Sequence, residues 1–581
     1  MRPPTAGSRN LSPARHRAAR RLAVATVALL FAAVACSQDD TRNASSSESP
    51  APTLTTTATI TASDGTTTTS QVGVSETDVS DTAPATTTVA NTSSTAPVVV
   101  RPLQAGAQRL HFEVGPLDVK SGQNNIALSA PGIPKPTVDG YVVRIDPNLR
   151  LEDGSIPAVD VIHLHHGVWL NLAGRDATRP RIQERFFASG EEKTVTQLPD
   201  GYGYPVKASD VWVLNYMIHN LWPDETKVWV TYDIDFIPAD APEASGIVPA
   251  RPVWTDVQNG DVYPVFDVHR GTGTNGVFTY PDDATDAYAD GKVKNTWTVD
   301  RDGVLIGTGG HLHPGGLHTD LWLQRGGATA PTGHTKAGAA DTAHLFSSIA
   351  TYYEPAGAVS WDVSMSTTPE NWRVAVKAGD VLSTNATYDS KRASWYESMG
   401  IMVVWMADTQ PAGETPAADP FVTPVDVTGE LTHGHLAEND HHGGGADPKY
   451  LDLTTLATGA TTDHIPIADY QYAQGDMLKG TSVPTVVKGG TITFENLDAP
   501  LANGIWHTIT ACKVPCNQGT GIAYPLADGS VDFDSGQLGA AGPPTAGRLT
   551  WTTPTDLPTG VYTYFCRIHP FMRGGFEVVD G

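Results

Sequence analysis

Four side chains near the end of the chain have the types and spacing of a metal site. Cys566, His569 and Met572 form a C-x2-H-x2-M loop between two strand-like runs, and His507 lies on an earlier strand-like stretch. A thiolate, two imidazoles and a weak thioether are the ligands of a trigonal blue-copper (type 1) site. Because such a set holds Cu(I) and Cu(II) with little rearrangement, the spacing predicts a site for single-electron transfer.

Residues 465–581 resemble the cupredoxin family of small blue copper proteins. The resemblance rests on the run YTYF before Cys566, the ligand loop itself and the run GGFEVV after it, and the loop is as short as that of amicyanin. It implies a Greek-key β-sandwich that holds one type 1 copper and exchanges electrons with an unidentified donor or acceptor.

Two further cysteines, Cys512 and Cys516, lie in the segment TACKVPCN shortly after His507. Their spacing predicts a local disulfide, because disulfides persist in exported proteins. A second thiolate metal site is the alternative, but no nearby histidine pair completes it.

A second set of candidate ligands lies between residues 101 and 410, a region without cysteine. The histidines are His163, His165 and His166 in VIHLHHGVWLNL, His219 in VWVLNYMIHNLW, and His311 and His313 in GTGGHLHPGGLHTDLWL. On a strand, H-x-H spacing points both rings to one face, which is a common start for a copper or zinc site. Adjacent histidines point to opposite faces unless the strand twists or bulges.

The order HH, single His, HxH and a late Met399 resembles the copper type II, ascorbate-dependent monooxygenases, such as peptidylglycine α-hydroxylating monooxygenase and dopamine β-monooxygenase. The phrases HHGVWL, NYMIHNLW, GGHLHPGG, VKAGDVL and ESMGIMVVWM carry it. The resemblance implies two more coppers, an electron-transfer ion on one ligand set and an oxygen-binding, catalytic ion on the other. The implied sets are His165, His166 and His219 for the first ion, and His311, His313 and Met399 for the second.

This resemblance also implies two jelly-roll β-sandwiches, at 101–247 and 248–410, that face each other across a solvent cleft. It implies hydroxylation of a small-molecule or peptide substrate with O2. The chain departs from the family in three ways: the region lacks the disulfides of the animal enzymes, His163 and His318 are extra candidate ligands, and no residue matches the substrate-binding groups. A relative that binds copper and oxidises nothing therefore stays open, as does ordinary strand placement for any single histidine.

The elements that must position these ligands are strands. Gly (56 residues), Pro (43) and runs of Thr and Val indicate turns and β-structure, and charged residues make up only 17%. We therefore predict an all-β protein, with two jelly-roll sandwiches followed by a cupredoxin sandwich. The formal net charge of −25 gives no electrostatic reason to bind nucleic acid.

The N-terminal region predicts export. Residues 1–36 combine an arginine-rich start, the apolar run LAVATVALLFAAVA and Cys36, which is typical of a lipoprotein signal peptide too short to span a membrane. Lipidation of Cys36 would anchor the protein to the outer face of the bacterial cell membrane; an ordinary signal peptide with an incidental cysteine is the alternative. The Ser/Thr-rich residues 37–98 predict a flexible tether.

A histidine-rich connector is expected at 411–464, between the two copper regions. Its histidines are His433, His435, His441 and His442. Short His-rich tracts often bind metal, and a solvated connector is an equal alternative.

The sequence as a whole predicts an exported copper oxidoreductase. A blue-copper unit would exchange electrons with a two-copper, monooxygenase-like unit that consumes them. The competing hypothesis is a non-catalytic copper-binding or electron-carrier lipoprotein for copper storage or resistance.

Overall fold

The structure is a computed structural model, whose backbone contacts divide the chain into two units, Met1–Ala90 and Asn91–Gly581. It describes residues 60–61, 67–68, 96–120, 126–129, 131–159, 161–220, 225–258, 264–285, 287–288, 292–326, 341–353, 362–391, 395–439, 450–501, 505–512, 515–517, 532–539, 541–542, 545–567, 569 and 571–581. The predicted signal peptide with Cys36, most of the predicted tether, and His441 and His442 lie outside these residues.

The first unit contributes one described feature, an antiparallel pair of short strands, β1 (Ile60–Thr61) and β2 (Thr67–Thr68). Among the described residues, no helix has the length and apolar character needed to cross a membrane.

The first sandwich of the second unit is built from nine strands. They are β3 (Gln108–Val119), β4 (Ile126–Leu128), β5 (Gly140–Leu151), β6 (Ile162–Arg175), β7 (Gln183–Gly190), β8 (Thr196–Gln197), β9 (Tyr202–Val206), β10 (Trp212–Asn220) and β11 (Thr226–Pro238). One sheet has the order β4-β10-β6-β7, and the facing strands run β9-β5-β11-β3. Trp169 of β6 packs edge-on against Tyr232 of β11 in the core between them.

The second sandwich follows a short 3-10 turn at Pro242–Gly246. Its strands are β12 (Val248–Asp256), β13 (Phe266–Val268), β14 (Val277–Tyr280), β15 (Thr296–Thr298), β16 (Gly303–His311), β17 (Gly316–Gln324), β18 (Thr342–Tyr352), β19 (Val363–Thr367), β20 (Val374–Val376), β21 (Val381–Asp389), β22 (Trp395–Ser398), β23 (Ile401–Ala407) and β24 (Glu430–Leu431). The strands β14-β21-β17-β18 continue through β19 into β16-β23-β12, and β12 joins β9 of the first sandwich through a two-residue parallel pairing. The two sandwiches therefore share one continuous hydrogen-bonded sheet.

The C-terminal sandwich follows two further 3-10 turns, at Ala437–Asn439 and Leu453–Thr455. It contains β25 (Ala457–Thr461), β26 (His464–Ala468), β27 (Gln471–Tyr472), β28 (Ser482–Val487), β29 (Thr493–Asn496), the one-turn helix α1 (Asp498–Leu501), β30 (Thr510–Ala511), β31 (Ala541–Gly542), β32 (Thr545–Ala546), β33 (Thr550–Thr552), β34 (Gly560–Phe565) and β35 (Arg573–Val579). Two sheets, β25-β28-β35-β34-β30 and β27-β26-β29-β33, enclose a core in which Phe494 packs against Tyr564.

These described elements are strands almost throughout, so the prediction of an all-β protein is confirmed. Buried and partly buried residues alternate along much of β5, with the period of two that is typical of strands.

A β-bulge in β6 decides which histidines meet. Met217 of β10 lies opposite His166, and the next residue, Ile218, lies opposite Leu164. His165 is therefore the extra residue of the bulge in the pairing of β6 with β10.

Candidate metal centres

The first candidate centre lies at one end of the C-terminal sandwich. His507 Nδ1 and His569 Nδ1 are 3.0 Å apart, and Cys566 Sγ lies 3.8 Å from the former and 3.6 Å from the latter. Ligands with bonds of about 2.0–2.3 Å to one ion lie about 3–4 Å from each other. The three atoms therefore have the spacing of a single metal site, and Met572 lies in the same buried cluster as Cys566.

Strand pairing brings these residues together. Thr510 of β30 lies opposite Phe565 of β34, so the residues just before β30 and just after β34 become neighbours. The Thr508 backbone N–H donates to Cys566 Sγ at 3.3 Å, and the Cys566 N–H donates to the Met572 carbonyl at 3.1 Å. The loop between β34 and β35 is thus closed on itself with its ligands turned inward.

Asp498 fixes the orientation of His507, and sequence reasoning missed this residue. His507 Nε2 lies 2.8 Å from Asp498 Oδ2, which leaves Nδ1 to face the cysteine. Asp498 in turn accepts the backbone N–H groups of Asp469 and Tyr470 at 2.7 and 3.1 Å. Only the position of Asp498 nine residues before a candidate ligand hinted at this role, because the contact depends on the fold.

The local electrostatics favour a thiolate. Burial by itself raises the pKa of the Cys566 thiol, but the charge of His569 and hydrogen bonds with both histidines lower that pKa well below its ordinary value of 9.0. The thiolate is the form that binds a soft metal ion.

Two further cysteines lie in the same sandwich and outside this ligand set. Cys512 and Cys516 form a disulfide with Cα atoms 5.6 Å apart, and the Cys516 carbonyl accepts a hydrogen bond from Arg573 at 2.7 Å. The disulfide closes a short loop after β30, and the hydrogen bond from Arg573 connects this loop to the start of β35.

Two facing sheets contain the parallel pairs β28·β35 and β26·β29, and a loop with Cys566, His569 and Met572 joins the last two strands. We refer to this sandwich as the cupredoxin-like unit, after the family that its sequence resembles. Solved structures similar to parts of this chain include the Cu(I) form of an amicyanin variant, 19% identical, with 23% of this chain and 94% of that chain covered and a TM-score of 0.13. A purple cupredoxin from Nitrosopumilus maritimus is 21% identical, with 20% of this chain and 98% of that chain covered and a TM-score of 0.13.

No protein-family model matches the chain. No curated protein matches it either.

The second candidate centre is a group of buried histidines in the first sandwich. His163, His165 and His219 each offer a ring nitrogen, and these atoms lie within 4.8 Å of one another. His163 and His219 are directly opposite in the pairing of β6 with β10, and the bulge adds His165 to them. The predicted set was His165, His166 and His219; the structure groups His163 with His165 and His219, because His163 lies directly opposite His219.

His166 lies opposite Met217 in the pairing of β6 with β10, and the charge of His311 acts on it. Burial and then the charge of His311 lower the pKa of His166 to about 3. His311 Nδ1 lies 3.0 Å from Glu192 Oε2, a carboxylate that the sequence analysis did not single out.

The imidazoles of the two predicted sets are in contact. The His165 and His313 rings have centroids 4.1 Å apart, and His311 lies 5.0 Å from His313. The implied solvent cleft therefore does not separate these rings. Burial and the neighbouring histidines lower the pKa of His165, His219 and His313 well below 6.5, so the rings are neutral, as metal ligands must be.

Met399 lies beside this group. The Tyr388 hydroxyl donates a hydrogen bond to the Met399 carbonyl at 2.7 Å and accepts one from the backbone N–H of His313 at 3.2 Å. One side chain therefore connects the two predicted ligands. His318, the other extra candidate, pairs with Asp320 at 3.1 Å instead.

The cupredoxin-like unit packs directly against these residues. Trp506, which precedes the ligand His507, is 8% exposed and belongs to one apolar cluster with Met217 and Met399. Burial and the charge of His163 have the largest lowering effects on the pKa of His219, and the charge of His569 lowers it further. Ligands of both candidate centres thus lie within electrostatic reach of each other.

The described part of the connector covers the sandwiches. His433 Nε2 donates to the Glu192 carbonyl at 2.6 Å, and His435 Nδ1 lies 2.7 Å from Asp362 Oδ2. Neither histidine belongs to the groups of possible metal ligands found among the described residues.

A cavity of about 180 Å³ reaches His311. Its walls include Ala188 of the first sandwich and Ile401 and Trp405 of the second. His311 is therefore a candidate ligand that a small molecule can approach.

Proposed function

We propose that this chain is an exported copper-binding redox protein whose cupredoxin-like unit serves a monooxygenase-like pair of sandwiches. The observation that carries the proposal is the buried triad of His507, Cys566 and His569, with nitrogen and sulfur atoms 3.0–3.8 Å apart. Copper bound to such ligands would supply one-electron chemistry. The N-terminal sequence supports export and a lipid anchor at Cys36.

The chain's own residues prepare the cupredoxin-like centre. Asp498 and Thr508 hold His507 and the thiolate in place by hydrogen bonds, and Tyr470 packs edge-on against His569 at 5.1 Å. Fixed ligands cost little reorganisation when the charge of the site changes, which suits electron exchange with a redox partner.

The monooxygenase-like role is supported by the buried histidines and by the cavity at His311. The cavity gives O2 or a small group of a substrate access to His311, while Trp506 and Met399 fill the space towards the cupredoxin-like unit. This packing provides a short, apolar connection between the two candidate centres.

The type 1 assignment is tested on the full chain loaded with Cu(II). We expect the intense blue absorption of a Cu(II)–thiolate site, and we expect Cys566→Ser to lose it because the thiolate is the source of the band. Cys512→Ser with Cys516→Ser is the matched control, and it should stay blue. A Cys566→Ser chain that stays blue would contradict the proposal.

A further inference from the structure

Two adjacent glutamates at the end of β7 have different surroundings. Glu191 and Glu192 are 2% and 1% exposed. Glu192 is well partnered, because it accepts the Gly190 N–H at 2.9 Å and the Thr194 hydroxyl at 3.1 Å and lies against His311. Among the residues that the structure describes, neither oxygen of Glu191 has a hydrogen-bond partner.

A buried carboxylate without a partner is costly, so it needs a compensating group. One compensating group is the His165 imidazole, whose Nδ1 lies 3.4 Å from Glu191 Oε2. Two ligands on one tetrahedral ion with bonds of about 2.0–2.1 Å lie about 3.3 Å apart, which this distance matches.

His313 completes the group from the other sandwich. One atom each of His165, Glu191 and His313 lie within 4.8 Å of one another. Nε2 of His313 has no hydrogen-bond partner in the described part of the chain. His165 and Glu191 belong to the first sandwich, whereas His313 follows β16 of the second.

A small cavity gives access to the carboxylate. It measures about 20 Å³ and is lined by His163, Gly190, Glu191 and Lys193 among others. A space of this size holds about one water molecule or ion.

We propose that His165, Glu191 and His313 form a mixed imidazole–carboxylate site for a divalent metal ion, which joins the two sandwiches. Two imidazoles and a carboxylate suit Zn²⁺ and Cu²⁺. The carboxylate distinguishes this site from the two ligand sets predicted from the sequence, which contain only histidine and methionine. Its negative charge would offset part of the positive charge of the metal ion. The site shares His165 with the His163 and His219 group. The inference rests on the part of the proposed function that places metal ions at the buried histidines.

The test uses Zn²⁺ as the probe on the full chain in a Cys566→Ser background, which removes the thiolate site. Glu191→Gln keeps the side-chain shape and removes the anionic ligand. We expect it to weaken Zn²⁺ binding at one site at least 10-fold in chelator competition, and to reduce the Zn²⁺-induced rise in Tm.

Glu184→Gln is the matched control on the same strand, because this carboxylate accepts a hydrogen bond from Tyr204 and lies outside the group. Glu191→Asp, which keeps the charge, should recover part of the affinity. A purely structural role would instead lower the Tm of Glu191→Gln equally with and without Zn²⁺. Unchanged Zn²⁺ affinity in Glu191→Gln, or an equal loss in Glu184→Gln, overturns the inference. Blue absorption of the Cu(II)-loaded chain with Cys566 intact reports separately on the proposed function.

Discussion

At Cys566, burial and charge act in opposite directions. An apolar pocket disfavours a thiolate, while the nearby His569 and His507 favour it, and the second effect is the stronger one. The histidines keep their own orientation through partners further out, such as Asp498 beside His507. The properties of the thiolate therefore depend on residues that never touch a metal ion.

Asp498→Asn tests this dependence. Without the carboxylate charge, His507 is held less firmly and is a weaker base, so we expect copper affinity at this site to fall about 10–100-fold. The measurement is competition for Cu(I) with a chromophoric chelator. Glu495→Gln is the control, because its carboxylate pairs with the exposed His464 at 3.0 Å and should not change the affinity. An Asp498→Asn affinity equal to that of the unsubstituted chain would contradict the orienting role.

Residue types and spacing singled out the cysteine, histidine and methionine candidates, because few residues offer soft or imidazole ligands. They did not single out Asp498, Glu191 and Glu192. Carboxylates are common on protein surfaces, and nothing in the sequence shows that these three are buried.

Strand β16 ends at His311, and its backbone just before this residue packs closely against β17 and β18. The Gly310 N–H donates to the Ser348 hydroxyl at 2.9 Å. A Cβ atom at Gly310 would lie 2.2 Å from Thr319 Oγ1 and 2.9 Å from the Ser348 side chain. The glycine before His311 is thus needed for the approach of the neighbouring strands.

Gly310→Ala should therefore destabilise the second sandwich by about 1–3 kcal/mol, since the added methyl group has no space. Gly307→Ala on the same strand is the matched control: its Cβ would meet only Thr368 Oγ1, at 3.5 Å. This control should be neutral or stabilising by about 0.4–1 kcal/mol, because alanine restricts the unfolded chain. Urea unfolding of both variants measures the difference, and equal effects would refute the packing argument.

The strands themselves were predictable from alternation and composition, whereas the bulge in β6 was not. Period-two alternation places His163 and His165 on one face, and it gives no reason for a register shift beside Ile218. The choice of His163 over His166 as the neighbour of His219 follows from the pairing of β6 with β10, which involves residues about 50 positions apart in the sequence.

At the scale of the whole molecule, three sandwiches bring their candidate ligands to one region. Burial and the charge of Asp267 raise the pKa of Glu397 in the second sandwich. Two charges from the cupredoxin-like unit also act on this pKa: Arg567 lowers it and Cys566 raises it. The family resemblances predicted the order of these parts along the chain. They did not predict the contact between the His165 and His313 rings, since the relative position of sandwiches depends on packing between distant segments.

We propose that the cupredoxin-like centre and the buried histidines act together in O2-dependent redox chemistry. O2 consumption by the copper-loaded full chain, with ascorbate as reductant, tests this proposal. We expect consumption that is lost in His311→Ala while the blue absorption stays, that falls in Cys566→Ser, and that is unchanged in His464→Ala, an exposed histidine outside the groups of possible metal ligands. No O2 consumption by the fully loaded chain, or equal consumption in His311→Ala, would contradict the account and favour a non-catalytic copper carrier.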